Sequence, residues 1–244
     1  FDTSLESGGQ DKELKARALF WKAEAFYRVG DYNNAISTYS RFIQTSGASS
    51  LGEYKNAEYN LAYSYFKIEE YESAVLHFQK YVGASKNSRT GKMADALNRI
   101  GDYYFLNTNY TKALENYQQS FGMKIYEADY ALFQISFCRG LQRNQPEKIS
   151  TLEKLLAGFP ESEYYDDALY ELGRAYERTG KSSEGTAQYE NLIQNYPQSN
   201  YYRKALLQLG LINFNNGDFN KSLSQYKQVA EKYAGTPEAR AALS

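Results

Sequence analysis

Pro160-Glu-Ser-Glu-Tyr-Tyr-Asp-Asp-Ala-Leu-Tyr-Glu-Leu-Gly173 and Pro197-Gln-Ser-Asn-Tyr-Tyr-Arg-Lys-Ala-Leu-Leu-Gln-Leu-Gly210 are two copies of one pattern, set 37 residues apart. A third copy of the turn begins at Tyr233, which lies 37 residues after Tyr196, itself 37 after Phe159. A fixed period of this length marks a repeat architecture, in which each unit buries its apolar face by stacking on its neighbours. Extended backwards, the register places a small residue at Ala23, Ala62, Gly101, Ser136, Gly173 and Gly210. Sixteen residues further on in each unit stand Tyr39, Phe78, Tyr117, Leu152, Tyr189 and Tyr226. Four residues before that second series come Ala35, Ala74, Ala113, Lys148, Gly185 and Ser222.

Each unit reads as two amphipathic helices. Ala168-Leu169, Leu172-Gly173 and Tyr176 fall at i, i+3/i+4 and i+7, one face of an α-helix. A small residue lets the paired helices cross closely, and the large residue sixteen positions later fills the space beside the crossing. Gly30, Gly180 and Gly217 are placed to end first helices. Ser162, Ser199 and Thr236 are placed to cap the helices that follow, and Pro237 suits a first helical position.

Leu172-Gly173-Arg174-Ala175-Tyr176, Ile100-Gly101-Asp102-Tyr103-Tyr104 and Leu61-Ala62-Tyr63-Ser64-Tyr65 carry one recurrent motif. Ala35 to Tyr39, Ala74 to Phe78 and Ala113 to Tyr117 carry a second, and Pro160 and Pro197 close their units. In these motifs the sequence resembles the tetratricopeptide repeat family over nearly its whole length. The resemblance implies an all-α fold, a right-handed α–α superhelix of about six helix-turn-helix repeats and an elongated outline. The expected repeats cover residues 16–49, 55–88, 94–127, 129–162, 166–199 and 203–236, with 237–244 the truncated start of a further helix. The fourth repeat is degenerate, with Lys148 where Ala is usual, Arg139 where Tyr is usual and Pro146 in the turn. Its helices are expected to be shorter, irregular or differently tilted. The chain opens on Phe1-Asp2-Thr3 without Met and is expected to be an excised or processed piece.

Composition narrows the function. One Cys makes no internal disulfide, and one His with one Cys gives no zinc set, so no metal or cofactor is expected. The net charge of −1 lacks the basic footprint of a general nucleic-acid binder. No apolar run approaches the ~18–20 residues that span a bilayer. His77 has no Ser, Cys or acid that spacing alone would nominate, and Cys138 between Phe137 and Arg139 reads as an inert buried thiol. Asp166-Asp167 and Glu69-Glu70 are neighbours in sequence, which point apart on a helix. An enzyme is therefore not expected.

The family resemblance implies a concave groove lined by the first helices. Its contact slots fall on Arg17, Phe20, Glu24 and Tyr27; on Tyr59, Tyr63 and Phe66; and on Asn98, Asp102 and Phe105. In the fifth unit they fall on Asp167, Tyr170, Arg174 and Glu177, and in the sixth on Lys204, Leu207, Leu211 and Phe214. Phe133 and Phe137 hold the nominal slots of the fourth unit. The set lacks the two-Lys, Asn and Arg carboxylate clamp of chaperone-binding members, so the expected ligand is a protein or peptide of another kind. A glycan held on the aromatic rings is the alternative, as is an adaptor segment of a larger multi-repeat protein. The Pro-x-Ser-x-Tyr linkers are similar to those of bacterial envelope members such as the Tol-Pal-associated periplasmic protein. That likeness implies a scaffold on the periplasmic side of the bacterial cell envelope, anchored to the outer membrane through a missing N-terminus.

Overall fold

A computed structural model of the chain describes residues 12–86 and 88–243. Among them are thirteen α-helices, one 3-10 turn at Ala48–Ser50 and no strand. The helices are α1 (Lys12–Arg28), α2 (Tyr32–Gln44), α3 (Glu53–Lys67), α4 (Tyr71–Ala84), α5 (Gly91–Leu106) and α6 (Tyr110–Met123). They continue as α7 (Ala128–Leu141), α8 (Gln145–Gly158), α9 (Tyr165–Arg178), α10 (Ser182–Asn195), α11 (Tyr202–Asn215), α12 (Phe219–Lys232) and α13 (Pro237–Leu243). The chain divides into two compact units, Phe1–Ala128 and Asp129–Ser244. In the first, each helix from α1 to α6 packs on the next, and the first helices α1 and α3 also touch. In the second, α8 to α13 pack in the same succession.

The crossing of each pair follows from the small-residue slot. A Cβ added at Gly101 would lie 2.6 Å from Tyr117 Cε1, and one at Gly173 would lie 2.6 Å from Tyr189 Cε1. Gly210 stands under Tyr226 in the same way. A carbon that close is excluded, so glycine is what lets the ring lie on the helix backbone. In the first two pairs Ala23 sits with Tyr39 and Ala62 with Phe78, all buried.

The turn inside each pair needs a left-handed residue. Gly30, Gly180 and Gly217 supply it at φ 80°, 75° and 83°, and Glu69, Thr108 and Arg143 occupy the same slot at φ 65°, 58° and 61°. Three of the second helices, α2, α6 and α8, start on side-chain caps. Asp31 Oδ1 accepts from Asn34 N–H at 3.2 Å, Asn109 Oδ1 from Lys112 N–H at 3.2 Å and Asn144 Oδ1 from Glu147 N–H at 3.3 Å.

Two local expectations are corrected. The helices of the fourth pair are not shortened: α7 and α8 each run fourteen residues, as do α9 to α12. Pro146 falls in the first turn of α8, where its missing N–H leaves no hydrogen bond unmade. Lys148 is buried, its stem passing Gly140 and its ammonium bonded to Glu171 on α9. Ser162 and Ser199 do not cap helices directly. Their hydroxyls accept from Tyr164 N–H at 3.1 Å and Tyr201 N–H at 3.0 Å in a turn that precedes α9 and α11. Thr236 does cap, accepting from Ala239 N–H at 3.1 Å.

Candidate functional site

In the first unit a cavity of about 440 Å³ opens on the first helices. Arg17, Phe20, Trp21, Glu24 and Arg28 of α1 form one wall. Glu53, Asn56 and Asn60 of α3 face them with Gly52, and Lys92 of α5 closes one end. Phe20 is buried against Phe42, with ring centroids 5.6 Å apart, and Trp21 stands edge-on to it at 5.1 Å. Trp21 therefore projects from a rigid base, 49% exposed.

Side-chain bonds between successive first helices stiffen the walls. Arg17 bridges Glu13 at 3.0 Å and Glu53 at 3.1 Å. Glu24 accepts from the Tyr39 hydroxyl and from Asn60 Nδ2. Lys92 donates to Asn56 Oδ1 at 3.0 Å and lies 5.1 Å over the Tyr59 ring. Next to the cavity, Tyr59 and Tyr63 both donate to Asp95 Oδ2, at 2.6 Å and 2.5 Å. Burial, then the bond to Asp95, pushes both phenols far above their ordinary range.

Of the residues that the sequence places in the groove, Arg17, Phe20 and Glu24 line this cavity. Tyr27 lies edge-on to Tyr32 at 5.9 Å. Tyr63 packs on Phe78 at 5.1 Å and Phe66 on Tyr71 at 5.5 Å, so these rings join their own pair's packing. Asn98 is fully buried, and neither of its amide atoms has a hydrogen-bond partner among the described residues. Asp102 accepts from the Tyr117 hydroxyl at 2.7 Å and pairs with Arg99 at 2.7 Å, while Phe105 packs on Tyr110 at 5.6 Å.

In the second unit Tyr170 is buried and stacks on Tyr201 at 4.7 Å. Arg174 lies 5.8 Å over Tyr170 and Lys204 5.0 Å over Tyr201. Arg174 also bonds Glu171 at 3.0 Å, and Glu177 accepts from the Tyr189 hydroxyl at 2.5 Å. Burial, with Asp166 and Glu171 nearby, raises the Asp167 carboxyl to about 6. Leu211 and Phe214 are exposed, Phe214 packing on Phe219 at 5.4 Å, and Leu207 is half-buried. In the fourth pair Phe133 stacks on Tyr164 at 5.2 Å and meets Phe137 at 4.9 Å.

Sequence reasoning missed Trp21, Arg28, Asn56, Asn60 and Lys92. The signal available for Trp21 was that it is the single tryptophan and sits on a first helix. His77 gains a partner that local spacing does not offer: its Nδ1 lies 2.6 Å from the buried Glu58 carboxylate, and its ring stacks on Tyr65 at 5.5 Å. Cys138 is buried, which pushes its thiol up to about 12. Among the described residues no group of three or more His, Cys, Asp or Glu could hold a metal ion, and no helix is long and apolar enough to cross a membrane.

The pairwise geometry agrees with a family match. Residues 17–46, 167–199 and 204–236 match the family model of the tetratricopeptide repeat. These segments are tetratricopeptide repeats. Solved repeat structures share the fold. The C-terminal part of a TPR repeat-containing protein from Cytophaga hutchinsonii superposes with a TM-score of 0.71 at 15% identity, covering 99% of this chain and 92% of that one. YrrB, a TPR protein with an unusual peptide-binding site, gives 0.62 at 18% identity, covering 81% and 92%. PilF from Pseudomonas aeruginosa gives 0.62 at 15% identity, covering 94% and 97%. No curated protein matches the sequence. At such identities the likeness establishes the all-α tetratricopeptide solenoid and nothing about ligands.

Proposed function

We propose that this chain is a non-catalytic scaffold that binds a segment of another protein along the first-helix groove of its Phe1–Ala128 unit. The cavity of about 440 Å³ walled by α1, α3 and α5 carries this reading, because one first helix from each of three successive pairs contributes to it. Helices stacked at a regular spacing offer contacts at intervals along a line, which suits an extended chain. YrrB, with its peptide-binding site, gives a structural parallel. Glu24, Asp102 and Glu177 each accept a hydroxyl from the tyrosine of the paired helix, a use of carboxylates that favours scaffolding over acid–base chemistry. The proposed compartment is the bacterial cell envelope, on the style of the Pro160 and Pro197 linkers.

The test is site-specific photocrosslinking in the native cell from Asn56 and, as a control, from Glu190, an exposed residue that is not part of the cavity lining. One defined protein captured from Asn56 and not from Glu190 supports the scaffold. Identical capture patterns from both positions refute it. Fractionation of the same cells, with the chain recovered from cytosol, would overturn the compartment.

A further inference from the structure

The charges of the cavity are unevenly used. Glu53 is paired with Arg17, while Glu24 accepts from two neutral donors on one carboxylate oxygen, so the lining carries three cations, Arg17, Arg28 and Lys92, against two carboxylates, Glu24 and Glu53. Arg28 is exposed and has no ion pair among the described residues, and the Lys92 ammonium is engaged by an amide oxygen and a ring face but by no carboxylate. Trp21 lines the same cavity, half exposed and braced on Phe20. Tryptophan and arginine are among the side chains that most often carry binding energy, tryptophan through a large rigid ring and arginine through a planar fork that matches a carboxylate.

We propose that the occupant of this groove is an extended peptide segment with an aromatic side chain flanked by carboxylates, its ring packing on Trp21 and its acids meeting Arg28 and Lys92. The proposal rests on the scaffold reading and adds the chemistry of the partner. A basic segment would bring further cations to a lining that already holds three cations against two carboxylates, and a purely apolar one would cover Arg28 and Lys92 without replacing their water.

Trp21 is the single tryptophan, so its fluorescence reports this site alone. The experiment titrates the full chain with fluorescein-free and fluorescein-labelled octapeptides: one with phenylalanine among glutamates, one with lysines in place of the glutamates, and one with alanine in place of phenylalanine. The acidic phenylalanine peptide is expected to shift Trp21 emission to shorter wavelength, and by anisotropy to bind more tightly than both others. Arg28→Ala with Lys92→Ala should weaken it about fivefold or more, at unchanged helicity. Raising the salt should weaken it as well, because exposed pairs are screened. If the lysine or alanine peptide binds equally well and moves Trp21, the proposed chemistry is wrong while the groove reading stands. If no peptide moves Trp21 or changes anisotropy, the proposed chemistry is likewise overturned, and crosslinking from Asn56 decides the groove reading by itself.

Discussion

Replacing Lys148 by the alanine that the first three repeats carry at the same slot should destabilise the chain. A consensus argument predicts the opposite, since Ala35, Ala74 and Ala113 hold that slot and alanine is the better helix former by a few tenths of a kcal/mol. The surroundings of Lys148 reverse the sign. Its side chain is 6% exposed and bonds a Glu171 carboxylate that is 7% exposed. Removing one partner of a buried pair costs about 3–5 kcal/mol when the other charge is stranded. Arg174 stays 3.0 Å from the second Glu171 oxygen, so the carboxylate keeps one cation and the loss falls to about 2 kcal/mol. Truncating the stem also empties the space over Gly140 and beside Phe137, which adds about 1 kcal/mol. The sum is about 3 kcal/mol, which at a urea slope of about 2 kcal/mol per molar lowers the midpoint by about 1.5 M. Far-UV circular dichroism in urea measures it. Lys148→Met, which keeps the stem, should show the charge loss alone. Adding Glu171→Gln to Lys148→Ala should recover part of the loss, because a neutral amide is cheaper to leave buried. A midpoint for Lys148→Ala at or above that of the native chain would refute the reasoning.

Two further substitutions probe the turn and the groove. Thr108 holds a left-handed φ of 58° with a β-branched side chain, so Thr108→Gly should raise stability by about 1 kcal/mol in the same urea assay; no gain would show that the turn carries no strain. Asp167 has its carboxyl raised to about 6, so the folded state binds its proton more tightly than the unfolded chain, where it titrates near ~3.9. Its ionisation therefore costs nothing below about pH 4, and the cost is complete above about pH 6. Asp167→Asn should gain about 1 kcal/mol at pH 7, after allowance for solvent screening, and nothing at pH 4. An equal gain at both pH values would rule out the ionised carboxylate as the cause.

The fold was legible because its deciding contacts recur at one short offset. Gly101 under Tyr117 and Gly173 under Tyr189 are each sixteen residues apart, so a single glance at the register exposes the helix crossing. The turn slot was legible where glycine marks it and hidden where Glu69, Thr108 and Arg143 adopt the same conformation. The fourth pair misled because its departures compensate one another. Lys148 in an alanine slot reads as a defect until Gly140 makes room for the stem and Glu171 of the next pair meets the charge. Nothing local in sequence connects those three residues.

The groove was harder to read for a related reason. Slots taken from one unit at a time assume that each side chain on a first helix faces a ligand, whereas here many face the next first helix. Glu24 with Asn60, Asn56 with Lys92 and Tyr59 with Asp95 are all 36 residues apart, three short of the 39-residue repeat and so close to one helical turn back. Acids and amides on successive first helices thus bond sideways and close the groove floor. Such bonding removes Glu24, Tyr59 and Tyr63 from easy contact with a partner. What stays open is set by which side chains have no sideways neighbour of matching chemistry: Trp21, one position beyond the Phe20 slot, and Arg28, one position beyond the Tyr27 slot. On the proposed scaffold reading, specificity would therefore lie less in the slots that every repeat shares than in the residues that the cross-repeat bonds leave unmatched.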